Sequence, residues 1–126
     1  VETITLKEWE KFVLHPWDFV LWVTAEKIKI PYDLVARCEG RSSIWRLGVI
    51  IHSTAWFIDP GFEWTITLEM TNINEVPIAL YVWMRIWQFA FEKVDWVVEN
   101  PYDKRKWSKY MNQLLPEESR IWKDLY

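Results

Sequence analysis

Eight short runs rich in β-branched and aromatic residues, at 12–14, 19–24, 27–30, 34–37, 49–52, 65–70, 78–82 and 86–91, recur along the first three quarters of the chain. None is long enough for a typical helix, and apolar runs of this length at such regular spacing read as the strands of an all-β sandwich or barrel. Turn chemistry separates them at His15-Pro16-Trp17-Asp18, Ile30-Pro31-Tyr32-Asp33, Asp59-Pro60-Gly61-Phe62 and 72–77, where Pro presets φ and Asn, Asp or Gly tolerates the bend. The run 42–47 is expected to form a short helical turn. From Glu99 onward the pattern stops and the composition turns polar and basic, with Lys104, Arg105, Lys106 and Lys109 inside six residues. This reads as an extended tail that composition alone would leave solvated.

The length of 126 residues suits one domain. The expected division is a β-barrel body over 1–98 and an arm of the same domain over 99–126. Fifteen cations against eighteen acids leave a net charge of −3, which argues against a general nucleic-acid or acidic-lipid binder. No apolar run is long enough to span a bilayer, so neither a membrane nor a nucleic-acid partner is expected. One cysteine, Cys38, excludes an internal disulfide framework, and a reducing, cytoplasmic compartment fits best. With two histidines beside it, Cys38 gives too few soft ligands for a structural zinc site. The H-x-E and P-C-x-x-C strings of zinc nucleobase deaminases are missing, as are P-loop, dinucleotide-binding and serine-hydrolase signatures. Cys38 lies in a strand-like run and is expected to be a small core residue rather than a nucleophile.

Two places carry candidate chemistry. Gly40-Arg41-Ser42-Ser43-Ile44-Trp45-Arg46 puts two guanidinium groups and two hydroxyls around a tight turn. Forked arginine donors, Ser hydroxyls and successive backbone N–H groups are what a phosphate needs, although arginines capping a surface turn would look the same. In Thr67-Leu68-Glu69 the two-residue strand period puts Thr67 and Glu69 on one face and Leu68 towards the core. Glu69 is then either a solvated carboxylate or a general base. Asp59, before Pro60, is a turn former or a ligand contact.

Taken in order, Phe12-Val13-Leu14-His15-Pro16, Gly40-Arg41-Ser42-Ser43, Arg46-Leu47-Gly48, Thr54-Ala55, Ile58-Asp59-Pro60-Gly61-Phe62, Thr67-Leu68-Glu69, Pro77-Ile78-Ala79-Leu80-Tyr81, Gln88, Ser108-Lys109-Tyr110 and Ser119-Arg120-Ile121 resemble the dCTP deaminase branch of the dUTPase superfamily. The resemblance implies a distorted β-barrel or jelly-roll subunit with an extended C-terminal tail, forming a homotrimer with active sites at the subunit interfaces. It implies dCTP or dUTP as substrate, with Mg²⁺ held through the triphosphate, no protein-ligated metal and no zinc. By position, Glu69 would be the base that activates water for attack at C4 of cytosine. Ser42, Arg46 and the Ala55 carbonyl would place water and base. The substrate cradle would comprise Arg41, Ser42, Ser43, Ile44, Trp45 and Arg46, with phosphates on Arg41, Ser42 and Ser43. Asp59 would take the 3′-hydroxyl, Thr67 and Leu68 the nucleobase through backbone groups, and Gln88, Tyr102, Lys109 and Gln113 would complete the site. Glu69 points to deamination, and Gln88 with the context of Ala55 to Asp59 resembles the bifunctional type that carries dCTP to dUMP, ammonia and diphosphate. A dUTP-forming deaminase, a dUTP diphosphatase with Asp59 activating water, and a non-catalytic trimer are the alternatives.

The resembling family has an N-terminal segment that this chain largely lacks. It also carries glycine or another small residue where this chain has Trp17, Trp45, Trp64, Trp83 and Trp87. Eleven tryptophans stand against three glycines, where average usage gives roughly nine glycines. Indoles at glycine turns are expected to be strained.

Overall fold

All eight expected runs are strands in the computed structural model, which describes residues 2–51 and 57–121. In chain order the elements are β1 (Lys11–Leu14), β2 (Phe19–Val23), β3 (Ile28–Lys29), β4 (Leu34–Gly40), α1 (Ser42–Trp45), β5 (Val49–Ile51), β6 (Phe57–Ile58), β7 (Glu63–Trp64), β8 (Thr67–Asn72), β9 (Ile78–Tyr81) and β10 (Trp87–Lys93). The expected helical turn at 42–47 is α1. The two-residue strands β6 and β7 went unanticipated, being too short to show any alternation.

The strands pair antiparallel in four small sheets, β1–β9, β10–β4–β6, β2–β8–β5 and β3–β7. The jelly-roll reading holds at the level of architecture, while the ladders among the described residues do not join into one closed barrel. Between the sheets lies a core of Leu14, Ala36, Cys38, Ile44, Val49, Leu68, Met70 and Leu80, all nearly or wholly excluded from solvent. Burying the Leu, Ile, Val and Met side chains among them stabilises by about 1.5–3 kcal/mol each.

The strand β8 organises the region that matters for function. It is flanked by β2 and β5, and its burial alternates as the period predicts, with Leu68, Met70 and Asn72 inward and Thr67, Glu69 and Thr71 half-buried on the other face. At its far end Asn72, fully buried, donates through Nδ2 to Leu14 O and Val76 O at 2.9 Å each and accepts from Asn74 N at 2.8 Å. A buried amide is stable when its polar atoms are paired in this way. At the near end Thr24 prolongs the β2–β8 ladder, its amide donating to Ile66 O at 2.9 Å and its hydroxyl accepting from Ile66 N at 3.0 Å.

The arm is irregular, as expected, but it is docked. Tyr102 to Lys104 form a 3₁₀ turn, and Tyr102 N donates to Pro60 O at 2.8 Å. The Tyr102 ring tilts onto Phe62 with centroids 5.5 Å apart. Further on, Gln113 is buried. A basic stretch that composition leaves in solvent is therefore tied to the Asp59–Phe62 turn by its aromatic and backbone groups. No helix among the described residues is long and apolar enough to cross a membrane.

Candidate functional site

The expected site residues collect into two groups on different elements. The first stands where the arm meets the start of β8. Thr65 Oγ1 donates to Gln113 O at 2.6 Å, and Thr67 Oγ1 donates to Gln113 Oε1 at 3.2 Å. Glu69 follows on the same face of β8 as Thr67. Asp59 closes the other side, its Oδ2 accepting from Arg105 Nη1 at 2.8 Å. The Tyr102 hydroxyl accepts from Tyr110 N at 3.0 Å, which curls the arm back towards Lys109. Burial, more than any other influence, pushes the Tyr102 phenol above its ordinary value, so it stays protonated at neutral pH. A cavity of about 390 Å³, lined by Asn100, Lys104, Arg105, Lys106 and Trp107, opens on the arm, and its three cations suit an anion.

The second group is the turn from β4 into α1 and the start of β10. Arg41 N donates to Ile86 O at 3.1 Å and Arg41 Nη1 to Arg85 O at 2.9 Å, which fixes the Arg41 side chain along the β10 approach. Ser42 and Ser43 on α1, and Arg46 at its C-cap, are exposed. The bonds within the turn begin at Ile44 N, which donates to Arg41 O at 2.9 Å, followed by Trp45 N to Arg41 O and Arg46 N to Ser42 O. The Ser42 and Ser43 amides stand outside that ladder, as first-turn amides do. Gln88, on β10, is exposed and in register with Glu39.

Two expectations change on this geometry. The Ile44 side chain is buried in the core and its amide is committed to Arg41, so it supports the cradle from beneath and its side chain offers nothing to a ligand. Leu68 is the core residue that the strand period predicted, its backbone being the part expected to meet a nucleobase. Trp45 is exposed at the end of α1 in helical backbone. Ala55 lies outside the described residues. The first group stands on β8, the Asp59–Phe62 turn and the arm, the second on α1 and the start of β10.

The sequence reading missed Arg105 as the partner of Asp59. The only available signal was the cation run after Pro101-Tyr102, which spacing does not connect to a turn more than forty residues earlier. Cys38 is the core residue it was expected to be. Burial first, then the nearby charges of Glu69 and Glu39, push its thiol up to about 12. That leaves almost no thiolate near neutrality. The donors at the Arg41–Arg46 turn are guanidinium groups and hydroxyls, and no group of three or more His, Cys, Asp and Glu among the described residues could hold a metal ion. Such donors suit phosphate oxygens.

Comparison with known proteins bears on the fold and the family. A solved structure of native EIAV dUTPase matches with a TM-score of 0.60 over 76% of this chain and 78% of that one, at 24% identity, a likeness of fold. The dCTP deaminase, dUMP-forming, of Dictyoglomus thermophilum is 52% identical over 96% of this chain and 62% of its own length. The protein of the same name from Methanobrevibacter smithii is also 52% identical, over 96% and 63%. The dCTP deaminase of Natronomonas pharaonis is 46% identical, over 96% and 62%. The chain thus spans about three fifths of the length of these relatives. Residues 1–94 match the model of the dCTP deaminase-like family, and the chain belongs to that family.

Proposed function

We propose that this chain deaminates dCTP and carries the product on to dUMP, releasing ammonia and diphosphate. The observation that carries the reading is Glu69, held half-buried beside Thr67 on a strand whose other face is core, next to the docked arm. In this reading Glu69 takes a proton from water as the oxygen attacks C4 of cytosine. The tetrahedral carbon then expels the amino group, which leaves as ammonia after receiving a proton from the protonated Glu69. The Arg41–Arg46 turn holds the phosphates, with Arg46 and Ser42 positioning the water. Mg²⁺ arriving on the triphosphate would offset phosphate charge. The absence of a zinc-deaminase signature supports a route in which a carboxylate alone activates the water. The dUMP-forming names of the two relatives at 52% identity support the second hydrolysis, at the α-phosphate.

We read the chain as a homotrimer, as the resemblance to the dUTPase superfamily implies, in which Arg41–Arg46 and Gln88 of one copy meet Asp59, Thr67, Glu69 and the arm of the next. A cytoplasmic setting follows from the substrate. The test is to incubate the chain with dCTP and Mg²⁺ and resolve the products by anion exchange, beside Glu69→Gln. The proposal expects dUMP and ammonia from the unaltered chain. For Glu69→Gln it expects a loss of about 10²–10⁴-fold in turnover, the usual worth of a general base, with dCTP binding retained. Release of dUTP as the end product overturns the second step, and undiminished turnover by Glu69→Gln overturns the assignment of the base.

A further inference from the structure

Resting on that reading, we propose that Arg105 is a positioning residue that makes Asp59 selective for a nucleotide bearing a free 3′-hydroxyl. The Arg105 guanidinium is held at two points, Nε donating to Asn100 O at 2.7 Å and Nη1 to Asp59 Oδ2 at 2.8 Å. The 3₁₀ turn that carries it is itself pinned by Tyr102 N on Pro60 O and Tyr102 on Phe62. Both members of the pair are more than a third exposed, so the pair adds little to stability. Its effect is geometric. A carboxylate accepts hydrogen bonds and donates none; with Oδ2 occupied and the rotamer held, Oδ1 is left as one oriented acceptor for one hydroxyl. The arm thereby couples its own docking to recognition of the sugar.

The experiment measures dissociation constants for dCTP and 2′,3′-dideoxy-CTP by calorimetry, and kcat and KM for both, in the unaltered chain, Arg105→Ala and Arg105→Lys. In Arg105→Ala, dCTP binding is expected to weaken about tenfold, with KM rising and kcat nearly kept. Binding of the dideoxy analogue should stay within twofold, and Arg105→Lys should recover part of the dCTP loss. An equal loss on both nucleotides means that Arg105 only docks the arm and overturns the proposal, as does no loss on either. Ammonia release from dCTP by the unaltered chain reports separately on the deaminase reading.

A different observation carries a second inference. Among the described residues four non-glycine positions have positive φ, and three are tryptophans: Trp17 at 67°, Trp64 at 131° and Trp83 at 65°. The molecule contains its own control. Asp59-Pro60-Gly61-Phe62 is a β-turn closed by Phe62 N on Asp59 O at 3.1 Å, with Gly61 third at φ 84°. His15-Pro16-Trp17-Asp18 repeats it, closed by Asp18 N on His15 O at 3.1 Å, with Trp17 third. Tyr81-Val82-Trp83-Met84 closes in the same way through Met84 N on Tyr81 O. Positive φ at the third position calls for Gly or Asn. The indoles of Trp17 and Trp83 are 73% and 66% exposed, so packing does not explain them.

We infer that glycine occupies positions 17, 64 and 83 in the polypeptide the native cell makes, through UGA, which some genetic codes read as tryptophan and others as glycine. The test reads the codons of the gene and the peptide masses of protein isolated from its own cells. UGA at all three positions, UGG at Trp22, which packs edge-on against Phe12, and peptides lighter by an indolylmethyl group at 17, 64 and 83 are expected. UGG at those three positions, or tryptophan-mass peptides covering them, overturns the inference.

Discussion

Trp17 and Trp83 hold backbone conformations that cost an L-residue roughly 1–2 kcal/mol, and their exposed rings recover little of it. Trp17→Gly and Trp83→Gly should each raise stability by about 1 kcal/mol, after allowing for the extra freedom glycine gives the unfolded chain, read as a higher urea midpoint at unchanged slope. Cys38 gives a second residue-scale prediction, in pH. An unfolded thiol ionises near pH 8.5, while the folded one is held protonated up to about 12. Between those values the folded state keeps a proton that the unfolded state has lost. Stability therefore falls as pH rises through that window, by at most about 1.4 kcal/mol per unit. Cys38→Ala should flatten the slope, and native Cys38 should resist iodoacetamide at pH 7.5 until the chain is unfolded. The face of Glu69 was legible from strand period alone, because Leu68 and Met70 must be inside. The Asp59–Arg105 pair was not, because it is made by a fold that brings together residues distant in sequence.

At the scale of elements, strands long enough to alternate announced themselves, whereas β6 and β7 exist only because β4 and β3 offer them partners. Composition alone would leave the arm in solvent for a related reason. Its charges favour water, yet its docking rests on Tyr102, Gln113 and backbone groups that composition does not weigh. Gly61 is a point of close approach between arm and turn. A Cβ there would lie 2.5 Å from Asp103 Oδ1 and 3.0 Å from Pro101 Cβ, at φ 84°. Gly61→Ala should therefore undock the 3₁₀ turn, destabilise the chain by about 1–3 kcal/mol, and make the peptide bonds of 99–110 the first cut in limited proteolysis. Cleavage elsewhere first, with unchanged stability, would contradict this account of the arm.

On the scale of the whole molecule, the proposed phosphate turn lies on α1 and the proposed catalytic carboxylate on β8, two elements of one chain. Motif order made both legible, but nothing in a linear sequence says whether they meet within a copy or between copies. The most direct measurement mixes two disabled variants, Glu69→Gln and Arg46→Ala, by co-refolding, and follows ammonia release from dCTP. Each alone should be inactive. If the site is built between copies, a mixed trimer contains interfaces that pair an intact Glu69 with an intact Arg46, and a fraction of the original activity returns. Two inactive variants that stay inactive after mixing, while still forming trimers together, would contradict the shared site.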